Sequence, residues 1–225
     1  MIKEFHIFIA GASRGVGKEI VKYLVKQNHK ITALLRSSNA KLELEEMGIK
    51  TVIGDALQPD RVEKAMLTAE KITAVISTIG GKNQDGIRSD YSGNKNLIDG
   101  AKKARVDKFI LISSIGSKES AVALPPEALA TLKQALEAKA KAEEYLQKSG
   151  LTYTIIRPGG LKSEPATGNG ILTENYQVAG MIHRADAAKL AIDCLLSDRA
   201  NNKTLSAVDR NMTYSQVDFV EFNPT

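Results

Sequence analysis

Gly11, Gly15 and Gly17 fall within one short stretch, IAGASRGVG, behind an apolar run and ahead of KEIVKYLVKQ. Glycine lets a backbone turn sharply and come close to a bound group. A helix opening there points its free N–H groups and positive dipole end at the same spot. The chemistry that suits such a place is the binding of a phosphate or pyrophosphate. The expected contacts are Gly11, Ser13, Arg14, Gly15, Val16 and Gly17. A tight turn that binds nothing also fits the bare spacing, and the position between a strand and a helix is what gives the pattern weight.

A second group of residues specifies the anion. An NAD site carries an acidic residue about twenty positions further on, bonded to the ribose 2′-hydroxyl. Here no Asp or Glu occurs between Glu19 and Glu43, and the second strand runs into LLRSSN. Arg36 stands in the acidic residue's place, with Ser37 and Ser38 beside it. A guanidinium with nearby hydroxyls suits a 2′-phosphate, so the expected cofactor is NADPH. Arg14 adds a second positive charge, although solvated surface charge is the alternative for both arginines. Asp55, followed by Ala56 in VIGDA, either bonds an adenine amino group or caps the next turn. Thr78, Ile79 and Gly80, in STIGG, stand where the second half of a dinucleotide would pass close to backbone.

The elements that must position these residues alternate along the whole chain. Strands are expected at Phe5–Ala10, Lys30–Leu35, Lys50–Ile53, Thr73–Thr78, Lys108–Ser113 and Thr152–Ile156. Helices are expected at Gly15–Asn28, Asn39–Met47, from Pro59, at Ser89–Arg105, from the Pro125–Pro126 pair to Gly150, and at Arg184–Leu196. The strands are continuously apolar, which calls for cover on both faces and hence a parallel sheet. Residues 1–225 therefore read as one domain, a doubly wound α/β sheet of the Rossmann type. Two segments, Gly116–Leu124 and Gly159–Tyr176, lack a clear pattern and follow strand ends on the inferred ligand-binding edge. Ser215–Phe222 alternates like a strand and has no assigned place.

Composition narrows the function classes. The chain has 225 residues, a formal charge of +5, no Trp, and its lysines are spread along it without a basic block. This points away from nucleic acid. No apolar run approaches the ~18 residues of a membrane span, and the start does not read as a signal peptide. The single cysteine, Cys194, sits among leucines as a buried small side chain, which fits a reducing cytoplasm. His6, His29 and His183 have no partner spacing for a metal, and none is expected. His183 reads as a surface or capping residue, with a substrate contact as the alternative.

The stretches GASRGVG, VIGDA, STIGG, VDKFILISSIGS, SGLTYTIIRPGGL and HRADAA resemble the atypical short-chain dehydrogenase/reductases. The resemblance runs from about Lys3 to Leu205, and is strongest to the group of the biliverdin-IXβ and flavin reductases. It implies a single NAD(P)-binding domain. The glycine spacing Gly-x-x-x-Gly-x-Gly is that of the main short-chain branch rather than the common atypical Gly-x-x-Gly-x-x-Gly. By resemblance Ser113, Pro158 and Gly159 adjoin the cofactor, Ser114 lies by the substrate, and Lys139 takes the lysine position of the main branch's Ser, Tyr and Lys set.

The tyrosine of that set is missing. Four residues before Lys139 stands Ala135, and Tyr145 falls on another side of the helix. Lys139 shares an arc with Leu129, Leu132 and Leu136. It either bonds the nicotinamide ribose or lays its stem on apolar surface and reaches Glu143. Hydride addition to an isolated ketone needs a proton donor that Ala135 cannot be. Addition to a conjugated ring system spreads the charge and needs mainly orientation. The expected activity is therefore NADPH-dependent reduction of FMN, FAD, riboflavin or biliverdin. The alternative is an NADPH-binding sensor or assembly factor without turnover.

Overall fold

The structure is a computed structural model that describes residues 5–67, 70–83, 85–214 and 216–224. The first half follows the apolar pattern closely. It runs β1 (His6–Ala10), α1 (Gly15–Lys26), β2 (Lys30–Leu35), α2 (Lys41–Glu46), β3 (Lys50–Ile53), α3 (Pro59–Leu67), β4 (Ala74–Ser77) and α4 (Ser92–Lys103). The second half holds β5 (Lys108–Ile112), α5 (Pro126–Gln147), β6 (Tyr153–Pro158), β7 (Gly160–Lys162), β8 (Gly170–Thr173), β9 (Met181–His183), α6 (Arg184–Leu196) and β10 (Lys203–Asp209).

Eight strands form one sheet in the order β3-β2-β1-β4-β5-β6-β10-β8. All neighbours are parallel except β10 and β8, which run antiparallel. Successive residues of β1 explain the double cover. Ile7 and Ile9 pack with Ile20, Leu24 and the α6 residues Ala188 and Leu195, while Phe8 and Ala10 pack with Val62, Leu97 and Ala101 on the other face. Apolar residues on both faces of each strand make burial between two helix layers the stable arrangement. Because β2 lies to one side of β1 and β4 to the other, a crevice opens over their carboxyl ends.

Several expected boundaries shift inward. α1 stops at Lys26, and Asn28 takes φ +58, the left-handed conformation that ends the helix. α4 starts at Ser92, which releases Ser89 and Asp90 into the preceding loop. The patternless segments also differ from expectation. Gly116–Leu124 contains a 3-10 helix at Lys118–Ala123, and Gly159–Tyr176 contains β7 and β8. The alternation over Ser215–Phe222 does not make a strand. Ser215 lies outside the described residues, and the rest touches the β8 edge by one antiparallel bridge, Leu172 to Phe222, and a Thr173 hydroxyl bond to the Val220 carbonyl. β10, absent from the sequence reading, fills the place beside β6.

α6 is buried nearly all round and its C-terminus is closed by a buried lysine. Lys108 Nζ donates to the carbonyls of Cys194 and Ser197, each at 2.7 Å. The Cys194 carbonyl belongs to the last turn and also receives the Ser197 N–H at 3.4 Å, and Ser197 is the residue that follows the helix. Burial holds the Lys108 ammonium below its ordinary lysine range. Burial also pushes the Cys194 thiol up to about 12. Cys194 should therefore resist alkylation in the folded protein at pH 8 and react fully in denaturant. A mass increment on the native protein within minutes would contradict this.

No described helix is long and apolar enough to cross a membrane.

Candidate functional site

The carboxyl edge holds a cleft of about 1260 Å³, bounded by the first turn and by the ends of β2, β4, β5 and β6. That exceeds the roughly 300–1,000 Å³ of an ordinary small-molecule pocket. It has room for a dinucleotide and a second molecule. Every residue expected at the site lines it except Gly17 and Ser38.

The first turn shows why. Gly11 and Gly15 have φ +98 and +59, left-handed values that favour glycine. A Cβ on Gly11 would lie 2.3 Å from Thr78 Oγ1, and one on Gly17 only 2.1 Å from the Gly11 carbonyl oxygen. Gly17 is thus a packing residue, required so that α1 can close on the turn. The Thr78 hydroxyl donates to the Gly11 carbonyl at 3.1 Å and ties the turn to the end of β4. Ser13, Arg14, Gly15 and Val16 line the cleft. No side chain caps the N-terminus of α1, and its first turn has no acidic residue. Its free N–H groups and dipole favour an anion there.

Arg36 and Ser37, just past β2, are exposed on the same cleft as Arg14. Asp55 lines it too, while its Oδ1 accepts the Leu57 N–H at 2.9 Å, so the turn-capping role is realised. Ala56 beside it is buried, its carbonyl held by Asn96 Nδ2 at 2.9 Å. Arg184, which sequence reasoning missed, supplies a third cation near Gly15. Its Nη1 donates to the Leu161 carbonyl and to Ser163 Oγ, at 3.2 and 2.7 Å. It braces the wall formed by Leu161, Ser163 and Glu164.

At the other end, Thr78, Ile79 and Gly80 follow β4 and face Lys139 and Ala135 of α5. A buried carboxylate organises this end. Asp90 is 1% exposed, and its Oδ2 accepts the Gly81 N–H at 2.8 Å and Arg88 Nε at 3.1 Å. Its Oδ1 lies 3.7 Å from Lys139 Nζ. Burial holds the Lys139 ammonium below the ordinary lysine range, and the Asp90 carboxylate opposes that shift. Lys139 therefore reaches Asp90 rather than Glu143. Its expected apolar arc is only partly covered, since Leu136 is buried but Leu132 is exposed. Tyr145 is remote, its hydroxyl donating to Asp99 Oδ1 at 2.7 Å.

Glu143 is engaged elsewhere. It is fully buried and accepts from Arg157 Nη2 at 2.6 Å and Nε at 3.2 Å. Arg157 Nη1 also reaches Glu119, at 2.8 Å. The Ser113 hydroxyl donates to Glu143 as well. The Ser114 hydroxyl donates to the Ile115 carbonyl at 2.9 Å. Both serines line the cleft with their hydroxyl protons directed to protein acceptors. Pro158 and Gly159 close the floor, where a Cβ on Gly159 would strike the Gly180 carbonyl oxygen at 2.1 Å.

His183 is not a surface residue; it stands at the N-cap of α6, without a side-chain capping bond. It is buried, with Nε2 3.7 Å from Glu164 and Nδ1 3.8 Å from Asp186. His183, Asp186 and Asp209 bring ligand atoms within 4.8 Å of one another, a proximity that their sequence spacing does not reveal. Both carboxylates already accept backbone N–H groups, Asp186 from Thr167 and Gly168 and Asp209 from Asn211. They tie the cleft wall to α6 and β10.

A glycine turn at the β1–β4 switch, an uncapped helix start and a cleft of this size define a dinucleotide-binding Rossmann protein. The chain belongs to the NAD(P)H-binding family, whose match spans residues 11–198, and is an atypical short-chain dehydrogenase/reductase. It is 33% identical over 221 residues to an uncharacterised chloroplast protein of Arabidopsis thaliana, covering 93% of this chain and 78% of that one. It is 30% identical to an uncharacterised sugar epimerase, YhfK, of Bacillus subtilis, covering 90% and 94%. Among solved structures it resembles ChuY, an anaerobillin reductase of Escherichia coli O157:H7, with 30% identity, a TM-score of 0.84 and coverage of 91% and 97%.

Proposed function

We propose that this protein is an NADPH-dependent reductase of a flavin or a related planar conjugated acceptor, such as biliverdin, acting in the cytoplasm. The observation that carries the reading is the proton inventory at the Lys139 end of the cleft. Ala135 lines it without a hydroxyl, and Ser113 and Ser114 give their protons to Glu143 and the Ile115 carbonyl. An isolated ketone would meet no positioned acid of the Ser–Tyr kind. A conjugated acceptor does not need one, since its added charge is spread and solvent in an open cleft can neutralise it. The resemblance to an anaerobillin reductase supports the same class of acceptor.

The residues present fit the cofactor. The first turn from Gly11 to Val16 and the start of α1 would hold its pyrophosphate, and Arg14, Arg36 and Ser37 its 2′-phosphate. Asp55 and Ala56 would adjoin the adenine. Thr78, Ile79, Gly80, Pro158, Gly159 and Lys139 would adjoin the nicotinamide half. When bound, NADPH supplies a hydride. The chain's own part is to orient the acceptor, with Ser114 beside it, and to keep Lys139 charged through Asp90.

Mixing the protein with NADPH and each of FMN, FAD, riboflavin and biliverdin, and following the reduced nicotinamide absorbance, tests the reading. Turnover above the uncatalysed rate, faster than with simple ketones, is expected. Background rates with all four would leave the sensor reading ahead. The pH profile should carry the mark of Lys139. Because its pKa is lowered, Lys139 loses its proton, and kcat/KM falls, as pH rises and before the ordinary lysine value of about 10.4 is reached. Lys139→Arg, charged throughout this range, should move that alkaline limb upward. An unmoved limb would detach Lys139 from it.

A further inference from the structure

Arg88 lines the cleft beside Lys139. Its side chain is 25% exposed, and its Nε is bonded to the buried Asp90 carboxylate at 3.1 Å. Among the described residues, its Nη1 and Nη2 groups make no hydrogen bond. One face of the guanidinium fork is thus anchored to a rigid partner and the other is left for a ligand. Asp90 is also the carboxylate opposite Lys139 Nζ, at 3.7 Å. Two cations therefore share one anion, and the acceptor end of the cleft carries a surplus positive charge.

The other charged groups facing this end do not cancel it. Glu143, one turn beyond Lys139 on α5, is neutralised by Arg157. Glu164, on the wall across the cleft, lies by Lys162 and His183, at 4.0 and 3.7 Å. The cofactor's phosphates have their own cations around the first turn and β2, namely Arg14, Arg36 and Arg184. A fixed guanidinium with free Nη groups matches the planar two-oxygen geometry of a carboxylate or phosphate.

We propose that the acceptor bears an anionic group, a carboxylate or a phosphate, and that Arg88, held in place by Asp90, recognises it. The inference rests on the reductase reading and makes it narrower. A neutral conjugated ring such as riboflavin would be reduced without this contact, whereas FMN and biliverdin would use it through a phosphate or a propionate.

The experiment compares kcat/KM for FMN, biliverdin and riboflavin in the parent protein and in Arg88→Met and Arg88→Lys. Loss of a charge-assisted bond should cost about tenfold to a hundredfold with an anionic acceptor. Riboflavin and the KM for NADPH should stay within about twofold, and Arg88→Lys should keep part of the activity. A loss confined to FMN assigns a phosphate, and one confined to biliverdin a carboxylate. An equal loss with riboflavin, a raised NADPH KM in its place, or no loss at all overturns the proposal. Quenching of flavin fluorescence by the NADP⁺-saturated protein gives a readout without turnover. Tighter binding of FMN than riboflavin, abolished in Arg88→Met, upholds the site even if no acceptor is reduced, an outcome that would sink only the reductase reading. Equal binding of the two flavins to the parent protein, together with biliverdin turnover unchanged in Arg88→Met, overturns the site.

Discussion

Arg36→Asp should weaken NADPH binding by about a hundredfold and leave NADH within a few-fold of its parent affinity. Arg36 is exposed at the end of β2, on the same cleft as Arg14 and the first turn, and has no ion pair among the described residues. Its removal therefore disturbs little of the fold. The substitution subtracts a charge-assisted contact, worth about 1.5–3 kcal/mol, and sets a carboxylate against the doubly charged ester. With NADH the same aspartate stands where an acidic residue accepts the ribose 2′-hydroxyl. Calorimetric titration of each dinucleotide into the parent and variant proteins reads the difference. Equal losses for both would show that Arg36 does not meet the 2′-phosphate, and would remove the ground for preferring NADPH.

The second large effect concerns stability. Glu143→Ala should cost about 3–5 kcal/mol, because a buried charge is left without its partner. Arg157 is almost fully buried, and Glu143 takes two of its bonds as well as the Ser113 hydroxyl. Glu119, the remaining partner, is 47% exposed, so it offers a weaker contact in a more polar setting. For a chain of this size the loss corresponds to a fall of roughly 10 °C or more in melting temperature. Glu119→Ala should move it by only about 1–3 °C, as a half-exposed ion pair does. Replacing both buried partners, Glu143→Leu with Arg157→Met, should recover much of the loss, since no charge then remains unpaired. A melting temperature for Glu143→Ala within about 3 °C of the parent would show that the pair does not hold β5, β6 and α5 together.

The glycine turn, the six parallel strands of the Rossmann core and the position of the cleft were legible because local features decide them. FHIFIA is apolar at every position, so it needs cover on both faces wherever it lies in the fold. Gly11 and Gly15 stand between a strand and a helix, where a sharp turn calls for glycine. Ala135 declared the missing hydroxyl by its identity alone. Other features were hidden because they depend on pairs far apart in sequence. Asp90 reads as an ordinary charge within an expected helix, and only its burial against Gly81, Arg88 and Lys139 makes it the organiser of the Lys139 end of the cleft. Gly17 has the spacing of a phosphate contact but serves the packing of α1 on Gly11. β10 carries Ser206 and Asp209 among its buried residues, so its apolar signal is diluted, and its place is decided by pairing with β6 and β8.

The sequence by itself determined the layered α/β fold, the dinucleotide turn and the absence of a tyrosine acid beside Lys139. These follow from periodicity, backbone freedom and side-chain identity, which act over a few residues. Only the tertiary structure decided which charges are buried together, which hydroxyl protons are already committed, and which arginines face the cleft. Those outcomes depend on desolvation and on partners brought together from distant segments, and neither is written in local order.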